Sequence, residues 1–307
     1  MSISDWQSDT SSENTKSSLK NVHSTLHTLS QRPPFEQLYA DCREFFAHPS
    51  TINTPQLTEL GPDMLNALIE MSADELIDAI RFVAQDSLSQ DSLTTDSGDP
   101  VQNLYYENYI YQHKSIPTRD NWHDFFNGLI WLQFPKTKAL FNQMHHAQIE
   151  QFGHKTRTPI RDKLTHFDEC GLLIVTDQTG LREEISEHQW HTVFVERKLQ
   201  WHDSIRPFII GHALWEMLMQ PFIGLTAKVI VIESNELLSQ IKAQPFNHIS
   251  ANQRLDAALA EGIDNSELLA YRKPWLPLPL LGIPQWSHIP QTEHFYANQN
   301  YFMPKRK

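Results

Sequence analysis

Long apolar runs are missing from this chain. A membrane-crossing helix needs about 18 or more uninterrupted apolar residues. The best candidate here, "FIIGHALWEMLMQPFIGL", is broken by His212, Glu216 and Pro221. Cysteine is nearly absent. Cys42 and Cys170 stand far apart, so there is neither a disulfide framework of the secreted kind nor a CxxC thiolate zinc site. Two free thiols in a reducing cytoplasm are the simpler expectation. Positive charge is scarce as well: 25 Lys and Arg face 37 Asp and Glu, for a formal net charge of −12. The only compact basic run is the "KRK" at 305–307. Nucleic-acid backbones demand clustered cations, and anionic lipid surfaces repel an acidic protein. Neither nucleic acid nor a membrane is therefore an expected partner. The opening "MSISDWQSDTSSENTKSSLKNVHSTLHTLS" has no apolar segment of the secretory type and does not read as a signal peptide, which points to the cytoplasm. GxGxxG, GxxxxGK[ST], GxSxG and EF-hand patterns are all absent. That argues against P-loop nucleotide hydrolysis and nucleophile-elbow serine chemistry.

What is present divides the chain unevenly. Residues 1–30 read as a disordered tail, and 31–86 as a helical N-terminal part. Within that part a helix is expected over 62–85, with Pro62 near its start and Leu65, Leu68, Ile69, Leu76, Ile77, Ile80 and Val83 on one face. The polar "SLSQDSLTTDSGDP" at 87–100 reads as a loop or hinge. Residues 101–307 form the main body. In it, "LLIVT" and "KVIVIE" are short apolar runs with the look of buried strands, and "PFII" is a third. Helical segments separate them. The fold class is thus α/β, predominantly helical with a small buried mixed or parallel sheet. The Pro-rich end, "WLPLPLLGIPQWSHIPQTEHFY", reads as an extended strap over the domain surface.

Three stretches could carry chemistry. The first is "PTRDNWHDFFNGLIWLQFPKTK" at 117–138, a helix capped by Asp120 and closed by Pro135. Trp122, Phe125, Phe126, Leu129 and Ile130 form its buried stripe, and Arg119, His123 and Asn127 run beside it at i, i+4 and i+8. A half-buried His in that position suits a general base or a metal ligand. The second is "RDKLTHFDE" at 161–169, where Arg161 and Asp168 share a helical ridge and Asp168 and Glu169 precede a helix-to-strand turn. An Arg161–Asp168 ion pair would explain the same residues without catalysis. The third is "PFIIGHALWE", which places His212 at the end of a strand with Glu216 one turn on. That HxxxE spacing is a weak signal, and a His bonded to a loop carbonyl fits it equally. In "MHHA", His145 and His146 point about 100° apart, so at least one is expected in solvent.

With these stretches assembled, the chain resembles a bacterial family catalogued as domain of unknown function 3025. The resemblance rests on residues 117–138, on "RDKLTHFDECG", on "GHALWEMLMQPFIGLTAK", and on "PLPLLGIPQW" with the later "FY" and "YFMP". It covers roughly residues 35–304. The family pattern runs GIPGWW where this chain has Gly282-Ile283-Pro284-Gln285-Trp286-Ser287. The resemblance implies no activity, cofactor or catalytic residue, but it makes the three stretches parts of one unit.

The resulting expectation is an enzyme or small-molecule-binding protein with a cleft lined by His, Asp and Arg. His123, Asp168 and His212 are its candidate catalytic groups, with Asn127, Arg161 and Glu216 as ligand-binding candidates and Arg161 as an anion clamp. A divalent metal is compatible with sixteen His and several carboxylates, yet no spacing demands one. The competing expectation is a non-catalytic interaction protein whose polar clusters are structural and whose partner is another protein. Convergence of the named side chains on one pocket separates the two.

Overall fold

A computed structural model describes residues 25, 28–29, 33–35, 60–71, 80–90, 105–243, 249–265 and 267–306. Most of the expected tail and Cys42 lie outside the described residues, as do 72–79 and 91–104 with most of the expected hinge. The fold is α/β and predominantly helical, with two small sheets.

Helix α1 spans Pro62–Met71. The helix expected to continue to residue 85 does not: Arg81–Ala84 is strand β1. It pairs in parallel with β2, Ser115–Thr118, which follows helix α2, Tyr106–His113. Four residues of alternating burial are enough for an edge pair, and Asn66 locks β1 to α1 by bonding both N–H and C=O of Phe82. The apolar period through Ile80 and Val83 conceals this change, because a helical stripe and a short strand share such positions.

Helix α3, Trp122–Gln133, begins one residue later than Asp120 would dictate. Its cap is Asn121, which accepts from Asp124 N–H at 2.8 Å. Asp120 instead accepts from Leu60 N–H at 2.9 Å, just ahead of α1. Helix α4, Pro135–Phe152, starts almost at once with Pro in its first turn. No local side chain caps it. Asp256, on the distant helix Ile249–Asp264, takes the N–H groups of Lys136 and Thr137 at 2.7 and 2.8 Å. Helix α5, Pro159–Cys170, is capped by Thr158 and runs directly into β3, Gly171–Thr176, whose every residue is buried.

The main sheet has the order β4-β3-β5-β6. After α6, Leu181–Ser186, comes β4, Ile205–Ile209, antiparallel to β3. Helix α7, His212–Met219, leads to β5, Thr226–Glu233, parallel to β3. Helices α8, Asn235–Lys242, and α9, Ile249–Asp264, precede β6, Leu276–Pro279, antiparallel to β5. The sheet is therefore mixed. The strap is not merely an extended cover: its first part is the edge strand β6, a place where Pro is tolerated because one side of the ladder needs no donor. Leu278, Leu280, Leu281 and Ile283 are all 0% exposed, so the strap is part of the core.

One glycine decides where the helices meet. Gly211 N–H donates to Gly171 O at 2.9 Å, and Ile210 N–H shares the same acceptor at 3.0 Å. A Cβ on Gly211 would fall 2.4 Å from Gly171 N, 2.5 Å from Glu169 O and 2.6 Å from Cys170 N. These are backbone atoms with nowhere to go. The absence of a side chain at 211 thus lets the start of α7 press on the end of α5, and α3 packs against α7 from the other side.

Candidate functional site

Three helix ends converge as a result. The first turn of α3 carries His123, the first turn of α7 carries His212, and the last turn of α5 carries Asp168 and Glu169. His123 Nε2 and His212 Nε2 lie 3.2 Å apart, with the rings edge to face. Glu169 Oε2 is 3.5 Å from His212 Nε2. Atoms of His123, Glu169 and His212 all lie within 4.8 Å of one another, a grouping that can hold a metal ion.

The outer atoms of both imidazoles face carboxylates. Glu216 Oε2 is 2.9 Å from His123 Nδ1. A neutral His123 in that contact carries its proton on Nδ1 and turns an Nε2 lone pair towards His212. Asp168 Oδ2 stands 3.9 Å from His212 Nδ1, which has no hydrogen-bond partner among the described residues. Burial pushes the His212 imidazole down to about 4, so it is neutral near pH 7, the form that ligates metals. The hydrogen bond that His123 donates to Glu216 holds the imidazole above its ordinary value, against the effect of burial. Burial raises the Glu169 carboxyl. Burial would raise Asp168 too, but Lys138, through its charge and its hydrogen bond, holds it below the usual carboxylate range.

The site opens into a cavity of about 320 Å³. Lys138, 4% exposed, donates to Asn127 Oδ1 at 2.9 Å and to Asp168 Oδ1, and sits over the Trp131 ring. Arg119 stands at the mouth, forked onto Asp124 with two contacts of 3.0 Å. Asn127 also donates to Tyr106 Oη at 3.3 Å, and burial keeps that phenol far above its ordinary pKa.

The structure brings together His123, Asn127, Asp168 and His212 in one lining, with Glu216 behind His123. Arg161 is elsewhere. It is 1% exposed, gives Nη1 to the carbonyls of His154 and Thr156 at 3.1 and 2.6 Å, and stacks over Tyr105. It neither pairs with Asp168, whose partner is Lys138, nor lines the cavity. In the "MHHA" stretch neither His is in solvent: His145 is buried and His146 is half-buried, stacked on Tyr111 at 3.9 Å.

Sequence reasoning left Glu169, Lys138, Glu107 and His145 outside the site. Glu169 adjoins Asp168, and spacing alone did not show that both turn into the cavity. Lys138 closes the first stretch, and on α4 it shares a face with Asn142 and His145 at i, i+4 and i+7. That pattern was available. For Glu107 no local signal existed.

A family model described as Protein of unknown function (DUF3025) matches residues 80–306. Residues 35–79, which the resemblance had been expected to include, fall outside that match. No curated protein and no solved structure matches the chain.

Proposed function

The chain belongs to that family, and we propose that it is a divalent-metal-dependent enzyme in which His123, Glu169 and His212 hold one zinc-type ion that activates water against a small polar substrate. The observation that carries this reading is the facing of two imidazole Nε2 atoms at 3.2 Å with a carboxylate oxygen at 3.5 Å. Two ligand atoms about 2.0–2.1 Å from a tetrahedral ion stand roughly 3.3–3.4 Å apart. The two separations bracket that value. Two His and one Glu also leave the fourth position open, as hydrolytic zinc sites do. Glu216 on the far nitrogen of His123 is the outer carboxylate that fixes a ligating imidazole. A bound ion would lower the pKa of its water towards 7 and so would supply hydroxide at neutral pH. Lys138 then offers positive charge in the same cavity, where negative charge develops on the substrate.

Zinc titration against a chromophoric chelator tests the proposal. One equivalent should bind to the wild type. His212→Ala or Glu169→Ala should weaken binding by at least about 100-fold, and Glu216→Gln by about 10–100-fold. Wild-type protein that takes up no zinc, or variants that bind it unchanged, would remove the metal reading. In that case the two imidazoles share a proton directly, and His123 is left as a simple acid–base group.

A further inference from the structure

The cavity lining carries a second set of polar groups that the metal does not use. Glu107, on α2, receives Asn142 Nδ2 at both its main-chain oxygen and Oε2, each at 2.8 Å. Its Oε1 has no hydrogen-bond donor among the described residues. His145, one helical turn from Asn142 on α4, lines the same cavity, and its Nδ1 is buried without a partner among the described residues. Burial pushes that imidazole down to about 4, so it is neutral and able to accept a hydrogen bond.

The charges of the lining separate cleanly. Arg119 pairs with Asp124 and Lys138 with Asp168. Glu169 faces the two imidazoles. Glu107 is left, with no cation bonded to it. Lys138 and Arg161 act on it through space, but the hydrogen bonds they make go to other groups among the described residues. This set of groups is therefore rich in acceptors and holds one carboxylate. Ile110, Trp131 and Phe141 supply apolar and aromatic wall around it.

We propose that Glu107, with Asn142 and His145, forms a recognition subsite for a cationic nitrogen, so that the substrate is a small molecule with a primary ammonium group at one end and its reacting bond at the metal end. This deepens the metal-enzyme reading and rests on it for the reacting end only. An ammonium carries three donors and no acceptor, which suits the free Glu107 oxygen and the neutral imidazole. A carboxylate ligand would instead meet Glu107 as a like charge. Burial lifts the Glu107 carboxyl to about 7, and an ammonium bound beside it would favour its charged form. The anion clamp expected of Arg161 has no counterpart here, because that guanidinium is turned into the protein.

Titration calorimetry of the zinc-loaded protein with n-butylammonium, butyrate and 1-butanol tests the subsite. Butylammonium should bind saturably, with 1-butanol at least 10-fold weaker and butyrate undetectable. Glu107→Gln, which keeps the shape and the Asn142 contact, should lower butylammonium affinity at least 10-fold while leaving zinc affinity within about 2-fold. Butyrate binding as well as butylammonium would overturn the proposal, as would a Glu107→Gln protein that binds the amine unchanged. The ligand series on the wild type decides the matter even if that variant folds poorly. Zinc uptake is measured separately, so a failed metal site with intact amine binding is distinguished from a failed subsite.

Discussion

A chain ending at Lys273 should be insoluble, or soluble without a cooperative melting transition. The strap that it lacks supplies β6 and the apolar groups that follow. Leu278, Leu280, Leu281 and Ile283 are fully buried. Burying four such side chains is worth roughly 6–12 kcal/mol before ordering entropy is subtracted, against a total domain stability of about 5–15 kcal/mol. The bonding is equally interlocked. Trp275 Nε1 donates to Lys163 O at 2.9 Å, at the middle of α5. Tyr301 Oη donates to Leu225 O at 2.7 Å and accepts from Leu281 N–H at 2.9 Å, which ties the strap to the start of β5. Circular dichroism melting of residues 1–273 beside the full chain is the check. A sharp transition near the full-length value would mean that the strap only lies on a body already complete without it.

The second large effect is expected at Gly211. In Gly211→Ala the new methyl meets three backbone atoms at 2.4–2.6 Å, none of them on a flexible side chain. The strand end and the helix end must part to admit it. Crowding of this kind costs about 3 kcal/mol or more where backbone has to move. It also carries His212 away from Glu169, so stability and zinc affinity should fall together. Chemical denaturation and zinc titration on the same preparation read both. A variant that keeps wild-type stability and zinc affinity would show that the close approach of α5 and α7 does not position the site.

Gly211 also illustrates what was legible in the sequence. The apolar stripe of α3, the buried runs of β3 and β5, and the placing of His212 at a strand-to-helix junction all follow from local periodicity. His212 stood out because it interrupts an apolar run, and His123 because it lies on a polar ridge beside the buried stripe of α3. Their meeting was not legible. It depends on a backbone contact between Gly211 and Gly171, forty residues apart in a single chain, and no periodicity encodes such a contact. Lys138 was passed over because lysine ordinarily belongs to solvent, whereas here Asp168 and Asn127 hold it inside. Arg161 was misplaced for the opposite reason. It lies on the ridge that carries Asp168, but two carbonyls in the loop before α5 claim its guanidinium. The strap was read as a cover because its alternating Leu and Pro conceal a strand that only an edge position allows.

The metal centre is the central claim, and anomalous diffraction from zinc-soaked crystals tests it most directly. The account predicts one strong peak about 2.0–2.1 Å from His123 Nε2, from His212 Nε2 and from a Glu169 carboxylate oxygen. No peak there at saturating zinc, with the two imidazoles still in direct contact at their present separation of 3.2 Å, would contradict it.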